Sequence, residues 1–228
     1  MTTLEDARTP APARLRKRFA ERFGNAGARP LAFASAPGRV ELAGNHTDHQ
    51  GGRTISAAID RRIYALAAPN GTDEMRVSME SFGDIALSCG DLDARESERG
   101  TSLALVRGMA AAFVRAGGRL PGSMRPPAPT SPQAPGSRRR PRSRCWSACC
   151  CACCATRRAP CPCDPVALAL EGAQVEQAYF GKPCGVQDQL ASAQGGAAAF
   201  DFAGDLPRVE PIAFDWEACG YALCLVDS

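Results

Sequence analysis

Gly38 to Gly52 reads GRVELAGNHTDHQGG, and the rest of the chain is read outward from this run. It begins as a short apolar segment, Arg39 to Ala43, and then turns into a polar loop closed by Gly51 and Gly52. That loop holds both histidines of the chain, together with Asn45 and Asp48. The paired glycines permit a tight turn that could lay such a loop against a ligand. A second island of the same character lies far downstream, Gly181 to Gly196, GKPCGVQDQLASAQGG.

Composition bounds what these islands can belong to. With 228 residues and 45% hydrophobic content, the chain can bury a substantial globular core. No apolar stretch approaches the roughly 20 residues of a membrane span. The first residues, MTTLEDARTP, lack a signal-peptide layout, so a cytoplasmic protein with no membrane partner is expected. The net charge of +3 is local, because Ser123 to Cys163 carries eight arginines and no lysine, aspartate or glutamate. Removing those eight charges leaves −5, so the basic balance does not point to nucleic acid. Cysteine is equally local: eight of twelve fall between Cys145 and Cys163.

Leu15, Phe19 and Phe23 at four-residue spacing predict an amphipathic helix over residues 12–24, closed by Gly24. Strands are expected at Leu31 to Ser35, Arg39 to Ala43, Thr54 to Ala68, Met75 to Glu80 and Ile85 to Ser88. Helices are expected at Ser102 to Ala116 and at Pro165 to Phe180, the latter opened by Asp164 as cap. Strands return at Ala197 to Phe202 and Tyr221 to Val226. The order predicts an α+β fold with a mixed sheet and packed helices, and neither a βαβ repeat nor a solenoid. Three parts are expected: a domain over 1–122, an aberrant segment over 123–163, and a continuation over 164–228. Because the chain stops directly after an apolar strand, it is expected to be truncated there.

The middle segment contains eight prolines and eight cysteines beside its eight arginines, and no Leu, Val, Ile, Phe or Tyr. A disordered linker fits the composition up to Arg144. A zinc cluster fits poorly, since the cysteines lack paired CxxC spacing and no histidine is near. A compensated frameshift fits best. Gly136 to Ser147, GSRRRPRSRCWS, can be back-translated so that starting one base earlier spells GLSSSAAFEVLV, and residues just upstream shift to VPAGSG.

Together the three segments resemble galactokinases of the GHMP kinase superfamily. GRVELAGNHTDHQGG is similar to their sugar-binding signature, CGVQDQ to their catalytic segment, and the back-shifted PAGSGLSSSAA to their ATP-phosphate loop. The resemblance implies a two-domain GHMP fold of which this chain holds most of the N-terminal part. It implies transfer of the γ-phosphate of ATP, with Mg²⁺, to the anomeric hydroxyl of galactose or a related hexose, by a monomer. Asp188 matches the family's catalytic aspartate, which takes or orients the acceptor proton, and Arg39 the arginine beside it. Asn45, His46, Asp48 and the Gly185 backbone match the sugar contacts, with Asn45 standing where the commoner family form has glutamate. Glu176 matches the glutamate on Mg²⁺. The phosphate loop itself is replaced by Gly136 to Arg144, a stretch broken by Pro141 that is not expected to line up successive amides, so the chain as written is expected to be inactive.

Each residue also has a plainer reading. Taken singly, Arg39 and Asp188 would be surface residues and Glu176 a solvated helix position. His46 and His49 could form a loop metal site or a hydrogen-bonded turn, though HTDH is a poor metal motif. Cys184 has no histidine partner nearby in sequence and reads as a structural thiol rather than a nucleophile. A non-catalytic sugar binder is the alternative for the whole chain.

Overall fold

The computed structural model describes residues 11–24, 31–45, 47–80, 82–116, 118, 120 and 164–224. His46, the 123–163 segment with Gly136 to Arg144, and the last residues of the chain lie outside these. The described residues form an α+β structure with a four-stranded sheet, a separate hairpin and packed helices.

The larger sheet is built on two long strands, β1 (Ala32–Ala43) and β2 (Arg53–Ala67). Its order is β1-β2-β5-β6, with β5 at Ala197–Asp201 and β6 at Arg208–Ile212, and every pairing is antiparallel. Pro37 and Gly38 led to two separate strands being expected in the first segment. They are instead a register shift inside one continuous strand. An edge strand tolerates this, because a bulge removes the ladder bond that proline cannot donate.

β3 (Glu74–Met79) and β4 (Gly83–Ser88) form the hairpin. Its apolar face packs on α2 (Ser102–Arg115), joining Leu87 to the buried Val106 and Ala110. Thr101 caps α2 by accepting from the Ala104 amide. The turn before that cap is held by a buried ion pair: Arg107 donates to both carboxylate oxygens of Glu98, each at 2.7 Å. The N-terminal helix α1 (Ala11–Phe23) lies over this region through ion pairs Arg18–Glu80, at 2.7 Å, and Arg22–Asp84.

α3 (Pro165–Val175) starts as expected, with the Asp164 carboxylate accepting from the amides of Val166 and Ala167. The helix expected to run to Phe180 changes at Glu176 into one π-helical turn, Glu176–Phe180, which ends at a left-handed Gly181. α2 and α3 cross closely around Val175, which is fully buried, and a Cβ at Gly108 would come within 2.1 Å of its side chain. α4 (Gln187–Gln194) lies on the sheet, where Leu190 and Ala191 join Ala169 of α3 and Ala198 and Phe200 of β5 in the main core.

Two departures concern the C-terminal side. β6, which includes Pro211, is not among the expected strands. As an edge strand it needs partners on one side only, and β5 supplies them. Tyr221 to Cys224, expected to begin a strand, are not strand: no partner is paired with them among the described residues, and Tyr221 and Leu223 are exposed. Apolar alternation predicts a strand only where a neighbour completes the ladder. Among the described residues no helix is long and apolar enough to cross a membrane.

Candidate functional site

The loop joining β1 to β2 is tied to itself before it meets anything else. The Thr47 carbonyl accepts from the Gln50 and Gly52 amides, and the Thr47 hydroxyl donates to the Arg53 carbonyl at 3.1 Å. Asn45 takes a left-handed conformation, φ 39°, which asparagine tolerates better than most side chains. These bonds set a short 3₁₀ turn, Asp48–Gln50, at the loop's tip.

From that turn the Asp48 carboxylate reaches the second island. One oxygen, Oδ1, lies 3.3 Å from His49 Nδ1, and the other, Oδ2, faces the backbone N–H of Gln187 at 3.5 Å. Oδ2 also lies over Gly185 so closely that a Cβ there would come within 1.7 Å of it. Only glycine at 185 leaves room for the carboxylate.

Arg39 leaves β1 toward the first turn of α4, where its Nε donates to Asp188 Oδ1 at 2.5 Å. Both side chains are about three-quarters buried. The hydrogen bond to Asp188 is the main reason the Arg39 guanidinium is held above its ordinary pKa, against the opposing effect of burial. Asp188 Oδ2 has no protein partner among the described residues and is the oxygen left to accept a further hydrogen bond.

Glu176 occupies the first position of the π turn and is buried, so the solvated-helix reading does not hold. Its Oε1 accepts from Gln189 Nε2 at 2.9 Å. Burial pushes its carboxyl pKa up; Lys182, Cys184 and Gln189 pull it back, and the charge of Asp188 adds to the rise. The Cys184 thiol is pushed up to about 12, chiefly by burial and then by Glu176, and so stays neutral near pH 7. That is the behaviour of a structural thiol.

The described residues bring Arg39 to Asp188, and Asp48 to Gly185 and Gln187. They place Glu176 across α4 from these contacts, joined to the same helix through Gln189. Reasoning from sequence missed Ser56, Gln187 and Gln189, all buried polar residues with side-chain partners. The signal was present in QDQ, where two amides flank a carboxylate at the start of a helix.

Against known proteins, residues 17–69 match the family model described as the galactokinase galactose-binding signature. Over those residues the chain resembles the galactokinases. The chain is 36% identical over 73 residues to the galactokinase of Enterococcus faecalis, and 34% over 101 residues to that of Lacticaseibacillus casei. Those matches cover 32% and 44% of this chain but only 18% and 25% of the relatives. In structure it is similar to Lactococcus lactis galactokinase complexed with galactose, with a TM-score of 0.69 at 21% identity over 91% of this chain. It is also similar to the mevalonate kinase of Methanococcus jannaschii, with a TM-score of 0.55 at 16% identity over 84% of the chain. The fold is that of the GHMP kinases. The chain spans about half the length of these two structures, 53% and 58%.

For a cation, the donor chemistry at Glu176 fits a hard ion. Its carboxylate and that of Asp188 feel each other's charge, and Gln189 Oε1 is buried with no hydrogen-bond partner. A divalent ion that prefers oxygen would relieve both conditions. No group of three His, Cys, Asp or Glu converges among the described residues, so further ligands would have to come from phosphate or water.

Proposed function

We propose that this chain carries the acceptor half of a galactokinase-like site, in which the anomeric hydroxyl of galactose is phosphorylated from ATP with Mg²⁺. The observation that carries the reading is the Arg39–Asp188 contact beside the Asp48–Gly185 junction, inside and opposite a galactose-binding signature.

Phosphoryl transfer needs a positioned hydroxyl and a place for its proton. Asp188 Oδ2 would accept the hydrogen bond from the anomeric hydroxyl, while Arg39 holds the carboxylate in place through Oδ1. The same fixed cation would favour negative charge developing at the transferred group. Asp48, with Asn45 and His46 from the same loop and the Gly185 backbone opposite, would select the sugar's remaining hydroxyls. Glu176 would hold Mg²⁺, which supplies charge neutralisation on the phosphates when bound. We place the protein in the cytoplasm as a monomer, with a hexose as its small-molecule partner and neither membrane nor nucleic acid.

Gly136 to Arg144 stands where the phosphate loop is expected, and its sequence, GSRRRPRSR, is not a Gly/Ser phosphate loop. This chain would therefore bind sugar without turning it over. Calorimetry with galactose should show saturable binding, and an ATP-coupled assay should show no turnover. Clear turnover would overturn the reading of residues 123–163, and absence of any hexose binding would overturn the site. A kinase of a related sugar is separated from this reading by running the same titration with N-acetylgalactosamine and arabinose.

A further inference from the structure

Asp188 stands between two glutamines, and both of their side chains are buried, at 3% exposure for Gln187 and 7% for Gln189. Burying an amide is costly unless it is hydrogen-bonded, and each of these finds a partner on a different element. Gln187 Nε2 donates to Ser56 Oγ at 3.0 Å, and Ser56 lies on β2, paired in register with Glu41 of β1. Gln189 Nε2 donates to Glu176 in the π turn at 2.9 Å. Val186 at the cap position packs against the main core but makes no side-chain capping bond. The Gln187 amide faces Asp48 at 3.5 Å, which is long for a hydrogen bond.

We propose that Gln187 and Gln189 are positioning residues that lock the first turn of α4 between β2 and the π turn, and thereby aim Asp188 at Arg39 and the acceptor hydroxyl. The inference rests on the reading of Asp188 as the residue that receives the anomeric hydroxyl. The geometric need is simple. Side-chain tips lie about 5–6 Å from a helix axis, so a rotation of about 20° would displace the Asp188 carboxylate by about 2 Å. That is enough to break its contact with Arg39. The two amides, pulling toward different elements, oppose rotation in both senses.

The test compares galactose with 1-deoxygalactose, which lacks the anomeric hydroxyl, by calorimetry on the full chain. The unsubstituted protein should prefer galactose. Gln187→Met and Ser56→Ala, which remove opposite ends of one hydrogen bond, should each lower that preference about fivefold, and Gln189→Met likewise. Affinity for 1-deoxygalactose should hold, and Ser56→Thr, which keeps the hydroxyl, should restore the preference. A merely structural role would weaken both sugars together and leave their ratio unchanged. Should Gln187→Met fail to fold, Ser56→Ala makes the smaller cut at the same bond. An unchanged ratio in folded variants would overturn the inference alone. No preference in the unsubstituted protein would overturn the reading of Asp188, and the inference with it.

Discussion

Arg39 and Asp188 are separated by 149 residues in sequence and joined by a 2.5 Å hydrogen bond at the floor of the candidate site. The pair spans the edge strand of the sheet and the helix that crosses it. A double-mutant cycle with Arg39→Met and Asp188→Asn should therefore give a coupling energy of about 1–2 kcal/mol in thermal or denaturant unfolding. Additive effects would mean that the contact contributes nothing of its own. Asp188→Asn should also weaken galactose binding about tenfold, because one charged acceptor is replaced by a neutral amide.

Gly185→Ala should act on the sugar site more than on the fold. The added methyl would stand 1.7 Å from Asp48 Oδ2, so the carboxylate must move away from the Gln187 amide. Galactose affinity should fall at least about tenfold, with a melting temperature only a few degrees lower. Equal losses in both measurements would show that the glycine serves packing alone.

The Glu98–Arg107 pair should dominate the local stability of the turn before α2. Both side chains are nearly inaccessible, at 11% and 5% exposure, and the guanidinium forks onto both carboxylate oxygens. Glu98→Gln alone should cost about 3 kcal/mol, because it leaves a buried cation with only the more distant Asp91 carboxylate, at 3.9 Å, as counter-charge. Replacing both by apolar residues, Glu98→Leu with Arg107→Met, should recover much of that loss in denaturant melts.

Glu176 predicts a pH dependence with a definite sign. Burial raises its carboxyl above the ordinary 4.5, so the folded chain holds a proton there that the unfolded chain has released. Its favourable share of stability is then complete below the unfolded value and is lost as pH rises through the folded one. Glu176→Gln removes that loss. The variant should melt higher than the parent at pH 8 and show little advantage below pH 4.5, without added divalent cation. A constant difference across that range would refute the assignment.

Much of the fold could be read from residue order. The helices at Ala11–Phe23, Ser102–Arg115 and Pro165–Val175 announce themselves through periodic apolar residues, a capping Asp164 and a closing Gly24. The long β2 and the hairpin carry clear alternation between turn residues. Less could be read where long-range pairing sets the outcome. Pro37 looks like a strand end until the partner strand shows it seated at a register shift, and Tyr221 looks like a strand start, yet no strand pairs with it among the described residues. For β6 the opposite holds: the strand at Ala197 to Phe202 was expected, but its pairing with Arg208–Ile212 shows only in the fold.

By itself, the sequence determined which residues could do chemistry: an arginine, aspartates and glycines in two short islands, with a Pro/Arg/Cys-rich segment between them. Those are properties of side-chain type and local spacing, and they need no fold to be read. Only the tertiary structure decided that Asp188 turns to Arg39, that Asp48 rests on Gly185, and that Gln187 and Gln189 are buried beneath them. Such meetings depend on how a helix is rotated against a sheet, and that rotation is set by packing and hydrogen bonds from several elements, Arg39 and Ser56 more than a hundred positions away among them.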